Sequence, residues 1–191
     1  MYNYKYNLII LGGNMFLWVA LKLNESFAND IRNKVKAINQ KYNLDEKALE
    51  LPAHISLKIS FDILNNDKQL LIDKMVTLIK SYLPLKVTTN KIERNGNIIW
   101  ISIKENNKLQ QIHNKLDLLL LNYGISKHEF DDNFMFHSTL FIDENEEKIK
   151  EMYDVIKDLD VSDNIKVDSI IMGESEDGIN FIPILDIVVK G

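Results

Sequence analysis

Hydrophobic and polar positions along the chain alternate between two periods, and the switches between them divide the sequence into strands and helices. Met15 to Leu23 (MFLWVALKL) is an apolar run rich in Phe, Trp and Val, which fits a strand. Asn24 to Asn43 then changes to helical spacing, with Asn at the position that opens it. After the linker LDEKALELP, His54 to Phe61 (HISLKISF) returns to period two, and Asp67 to Leu83 to helical spacing. Leu85 to Arg94 reads as a strand ending at the turn signal Asn95-Gly96.

The second half repeats the plan. Ile98 to Lys104 (IIWISIK) is a predicted strand, Asn107 to Tyr123 a helix stopping at Gly124, and Phe134 to Ile142 a strand. A helix over Glu144 to Leu159 and strands over Ile165 to Met172 and Phe181 to Val189 complete the pattern. LWVALK at Leu17 to Lys22 aligns with IWISIK at Ile99 to Lys104, placing Trp18 and Trp100 82 positions apart. His54 and His137 are 83 apart, so each histidine strand falls at nearly the same point of its half.

Alternation decides which side chains share a face. In the first histidine strand His54, Ser56, Lys58 and Ser60 lie together, opposite Ile55, Leu57, Ile59 and Phe61. In the second, Met135, His137, Thr139 and Phe141 lie together, opposite Phe136, Ser138, Leu140 and Ile142. Each copy alone reads most simply as a half-exposed strand pair. Two copies on paired repeats point to chemistry: phosphodiester cleavage without a metal needs one group to take a proton and another to give one. An imidazole, with an ordinary pKa of ~6.5, serves either role near neutrality. The hydroxyls of Ser56 and Thr139 then donate to the non-bridging phosphate oxygens, where transition-state charge gathers.

HISL and HSTL resemble the paired His-hydrophobic-Ser/Thr-hydrophobic signature of the 2H phosphoesterase superfamily, which includes the 2′-5′ RNA ligase-like proteins and cyclic phosphodiesterases. LPAHISLKISF is similar to the first motif of its small bacterial branch, where a basic residue commonly follows, as Lys58 does here. Ser138 departs from the pattern, being polar where a hydrophobic residue is usual. The resemblance covers most of the chain after Met15. It implies an α/β (α+β) bilobal fold with pseudo-twofold symmetry, two sheets facing a central cleft and helices outside. It also implies metal-independent hydrolysis of 2′,3′-cyclic phosphates or 2′-5′-linked RNA. The catalytic residues expected are His54, His137, Ser56 and Thr139, with the two imidazoles meeting across the cleft. RNA ligation is the reverse reaction and uses the same acid and base, so the residues do not separate the two. A non-catalytic module binding RNA ends or nucleotides has no need of a matched pair.

Two further side chains are candidates for substrate contact. Lys58 can neutralise a phosphate, although a strand lysine is more often solvated. Phe141 can stack on a base, although phenylalanine is more often core. His113, among Gln110, Gln111 and Asn114, and His128, in the polar loop KHEFDD, read as surface groups. A zinc site from His54, His137, Asp131 and Asp132 is conceivable, but the neighbouring hydroxyls suit phosphate better, and no metal or other cofactor is expected. Gly12-Gly13 precedes a strand and no Gly-Lys-Ser/Thr occurs, which disfavours ATP-driven chemistry.

Composition narrows the partners. At 191 residues and 46% hydrophobic content, the chain suits one domain, here residues 15–191 behind an N-terminal extension at 1–14. The net charge of -5 argues against duplex DNA, leaving a small nucleotide or RNA end as the expected ligand. The absence of cysteine excludes disulfides and thiolate sites. No run approaches the ~20 apolar residues that span a bilayer. A cytoplasmic monomer without membrane contact is the expectation.

Overall fold

The computed structural model describes residues 14–189. The expected extension therefore falls outside the described residues, except Asn14, which opens β1. In chain order the elements are β1 (Asn14–Lys22), α1 (Glu25–Tyr42), α2 (Lys47–Glu50), β2 (His54–Ser56), β3 (Phe61–Leu64), α3 (Lys68–Lys80), β4 (Leu85–Asn95) and β5 (Ile98–Ile103). They continue with α4 (Asn107–Leu121), β6 (His137–Ile142), α5 (Glu146–Ile156), β7 (Asn164–Val167), β8 (Ser169–Ser175) and β9 (Ile182–Val188).

The strands form two antiparallel sheets. One runs β2-β1-β8-β9, with β3 continuing the β2 edge of β1, and the other runs β6-β5-β4-β7. The two orders correspond strand for strand: each histidine strand flanks a tryptophan strand, β1 or β5, and the third strand comes from the other half of the chain. The helix starts correspond too. Asn24 accepts from the Ser26 amide at the head of α1, and Asn106 from the Lys108 and Leu109 amides at the head of α4, again 82 positions on. Each of these helices covers the sheet opposite to the one its preceding strand joins. Ile31 and Val35 of α1 pack with Ile99, Ile101, Leu140 and α5, while Leu109, Ile112 and Leu116 of α4 pack with Leu17, Val19, Leu21 and α3. This exchange ties the two lobes into one unit, because burying either helix needs both halves folded.

Three expected strands differ, and each difference has a local cause. His54 to Phe61 is not continuous: Ser56 pairs with Ala20 and Phe61 with Leu17, so five steps of chain face three steps of β1. The two surplus residues force 57–60 out of the ladder and take Lys58 off the His54 face. In β6 the partner of Ile99 is Phe141 and the partner of Trp100 is Thr139, so Leu140 forms a bulge. The bulge turns Phe141 away from the His137 face into the core, where it is fully buried. Ile165 to Met172 is two strands, β7 on β4 and β8 on β1, with the chain changing sheets at Asp168.

Candidate active site

The two sheets meet where β2 adjoins β6, with Cα atoms of the two strands within 8 Å of one another. This seam brings the histidines together, and the charge of His137 acts on His54. Both rings are half-buried and are held alike. His54 Nδ1 lies 2.8 Å from the Pro52 carbonyl and His137 Nδ1 2.7 Å from the Met135 carbonyl, each two residues upstream. A carbonyl only accepts, so Nδ1 carries the proton and Nε2 of the neutral ring keeps its lone pair. Neither Nε2 has a hydrogen-bond partner among the described residues.

Each histidine rests on a tryptophan. Trp18 meets His54 edge-on, with ring centroids 4.4 Å apart at 74°, and Trp100 meets His137 at 4.9 Å and 35°. Trp18 also donates from Nε1 to Ser56 Oγ at 3.1 Å. Thr139 stands directly opposite Trp100 in the ladder. Ser138 points to the other side of β6 and is buried.

Burial lowers both imidazoles by penalising their charged forms. For His54 it does so down to about 4, opposed by the Pro52 carbonyl and aided by the charges of Arg32 and His137. His137 is likewise lowered by burial, against the Met135 carbonyl.

Arg32 was not among the expected site residues. It projects from α1 behind the seam, donates to the Leu51 carbonyl at 2.5 Å and makes no ion pair among the described residues. With Ala53, Ile101, Ser138 and Thr139 it lines a narrow recess at the back of the site. Its one sequence signal is its position beside the stripe Ala28, Ile31 and Val35 that α1 buries.

Lys58 and Phe141, expected beside the histidines, are both interior. Lys58 is 2% exposed, with Nζ 2.8 Å from Asp117 Oδ1 and in contact with Asp131. Two surplus residues bring it there, and two carboxylates hold it. His113, expected on the surface, is fully buried in the same cluster. Its Nδ1 faces the Leu57 carbonyl at 2.9 Å and its Nε2 the Asp131 carbonyl at 3.1 Å. His113, Asp117 and Asp131 have the spacing of a metal site, but the lysine ammonium already supplies their cation.

A larger polar groove lies away from both histidines, between the start of α1 and residues 160–166, lined by Asn24, Asp30, Asp160 and Asp163 among others. Neither histidine lines it.

The model of the 2′-5′ RNA ligase superfamily matches residues 24–178, a span containing both histidine strands. The chain belongs to that superfamily. Among solved structures it is similar to E. coli LigT complexed with 3′-AMP, at TM-score 0.59 and 14% identity over 93% of this chain and 99% of that one. A phosphoesterase crystal structure matches at TM-score 0.57 and 12% identity, covering 93% and 99%, and E. coli LigT complexed with phosphate at 0.53 and 14%, covering 94% and 100%. No curated protein sequence matches the chain. The two-sheet α/β architecture is thus the 2H phosphoesterase fold. No helix among the described residues is long and apolar enough to cross a membrane.

Proposed function

We propose that this superfamily member is a metal-independent phosphodiesterase that hydrolyses 2′,3′-cyclic or 2′-5′ phosphodiester bonds in RNA ends or small oligonucleotides. One observation carries the reading: at the seam, two histidines with identically fixed Nδ1 protons offer two Nε2 atoms unpartnered among the described residues, each beside a hydroxyl two residues on. One neutral imidazole takes a proton from water as its oxygen attacks phosphorus. The other, protonated, gives a proton to the departing ribose oxygen, and the product is a phosphomonoester. Ser56 and Thr139 donate to the non-bridging oxygens. The 3′-AMP and phosphate bound to E. coli LigT are ligands of the chemistry proposed here.

The test is turnover of 2′,3′-cyclic mononucleotides and 2′-5′ dinucleotides by the purified chain in excess EDTA. Full activity after chelation is expected, because the two imidazoles and two hydroxyls supply the acid, the base and the charge stabilisation. Activity lost on chelation and restored by zinc or manganese would overturn the metal-independent mechanism. Binding without turnover would instead favour a nucleotide-binding module.

The lowered imidazoles also fix a pH dependence. In the free protein both rings are largely neutral at pH 7, and the required state has one of them charged. That state grows as pH falls below the ordinary histidine value of ~6.5 and is lost again as the second ring protonates, burial holding His54 down to about 4. The expected kcat/KM profile is therefore a bell with its maximum below pH 6.5. The kcat profile lies at higher pH, because an anionic substrate stabilises the imidazolium. A kcat/KM optimum above pH 7 would contradict the burial argument.

A further inference from the structure

We propose that Trp18 is a positioning residue of the active site, its indole N–H holding Ser56 so that the Ser56 hydroxyl proton points at the anion bound between the histidines. The proposal rests on the two-histidine reading and adds the group that orients one of its hydroxyls. An indole nitrogen only donates, so in the Trp18 Nε1 to Ser56 Oγ contact of 3.1 Å the serine is the acceptor. That bond occupies a lone pair of Oγ and leaves its single proton for another partner. No acceptor for that proton stands among the described residues, so it is available to a phosphate oxygen. A hydroxyl oriented before substrate arrives stabilises developing charge without reorganising during the reaction.

The position of Trp18 is itself built. The ring is 8% exposed, over Ala20 and Ile171 and against Phe181. Gly173 faces it across the β1–β8 ladder, where a Cβ would lie 3.1 Å from Trp18 Cε3 and 3.1 Å from the Ile182 carbonyl. The glycine leaves the room the indole occupies. The same ring presents its edge to His54, so one side chain contacts both polar groups of the first motif. The second half lacks this device: Trp100 contacts His137 but makes no hydrogen bond to Thr139.

A purely structural role has Ser56 doing no more than satisfying a buried indole N–H, and kinetics separate the two. Steady-state kcat and KM on a 2′,3′-cyclic mononucleotide, and affinity for inorganic phosphate by NMR titration, are measured for wild type, W18F, S56A and the double variant. A further protein carries 3-benzothienylalanine at position 18, which keeps the ring and replaces N–H by sulfur, so the question survives if W18F folds poorly. Removing Ser56 is expected to lower kcat about 10²-fold, the scale of one oxyanion donor. Loss of the N–H alone should lower kcat about tenfold with KM within twofold, and the double variant should be no worse than S56A. Wild-type kcat in the benzothienyl protein, or losses that multiply in the double variant, would overturn the proposal. If the wild type turns over no cyclic or 2′-5′ phosphodiester, the functional reading fails separately. Phosphate affinity then decides: weakening by both the benzothienyl substitution and S56A without multiplication supports the role of Trp18, and unchanged affinity overturns it.

Discussion

Replacing His54 or His137 with Ala is expected to lower kcat/KM by roughly 10²–10⁴ in either case, with the double variant little worse than the poorer single one. The non-additivity follows from the seam between β2 and β6. A proton must be taken and another given in one displacement at one phosphorus, and each task has a single imidazole whose Nε2 has no partner among the described residues. Losing either stops the concerted step, so losing the second removes little more. Both side chains are half-buried at the edges of their sheets, so neither substitution should alter the thermal midpoint enough to mimic the kinetic loss. Steady-state kinetics of the three variants at the kcat/KM optimum, with thermal unfolding alongside, check the prediction. His137→Ala retaining near-wild-type turnover on every phosphodiester the wild type accepts would exclude the two-histidine mechanism.

The elements that carry this argument were legible in the sequence because their periodicity is local. The apolar stripe of α1, the alternation of the two motif strands and the Trp18/Trp100 offset depend only on spacing along the chain. What the spacing does not contain is the partner. The break after Ser56 arises because β1 offers fewer pairing positions than the run from His54 to Phe61 requires, which is a property of two strands together. The Leu140 bulge and the change of sheet at Asp168 are likewise facts of pairing, and the first of them is why Phe141 leaves the His137 face.

Lys58 and His113 are interior for a different reason. Charged and polar residues in KHEFDD and around Gln110 look solvated when each is judged by its own polarity. On α4, however, Leu109, Ile112, His113, Leu116, Asp117 and Leu120 share one helical stripe, and all six are buried. An acid and an imidazole on an apolar stripe signal a buried polar cluster, and that stripe depends on spacing alone. The lysine that answers them comes from the other half of the chain, 59 positions before Asp117.

Removing that lysine is expected to be strongly destabilising. Lys58, Asp117 and Asp131 are each about 2% exposed, and His113 is fully buried with both ring nitrogens facing carbonyl oxygens. The Lys58 ammonium is the buried cation between the two carboxylates, and half-exposed Lys127 reaches Asp117 Oδ2 at 3.6 Å. Lys58→Met keeps most of the volume but removes the buried cation between the two carboxylates, and breaking a buried ion pair from one side costs about 3–5 kcal/mol. Urea unfolding should show this as a lower midpoint with an unchanged slope. Asn at Asp131 in the Lys58→Met background should recover part of the loss by removing the surplus charge. The functional consequence follows from what the cluster joins. Lys58 lies four residues after His54 and Asp131 six before His137, while His113 binds the carbonyls of Leu57 and Asp131. The cluster thus fastens the exit of one motif to the approach of the other, and with them the spacing of the two imidazoles. Lys58→Met protein assayed at a temperature where it is fully folded should therefore still lose kcat. Wild-type kcat under that condition would show that the cluster stabilises the fold without setting the site.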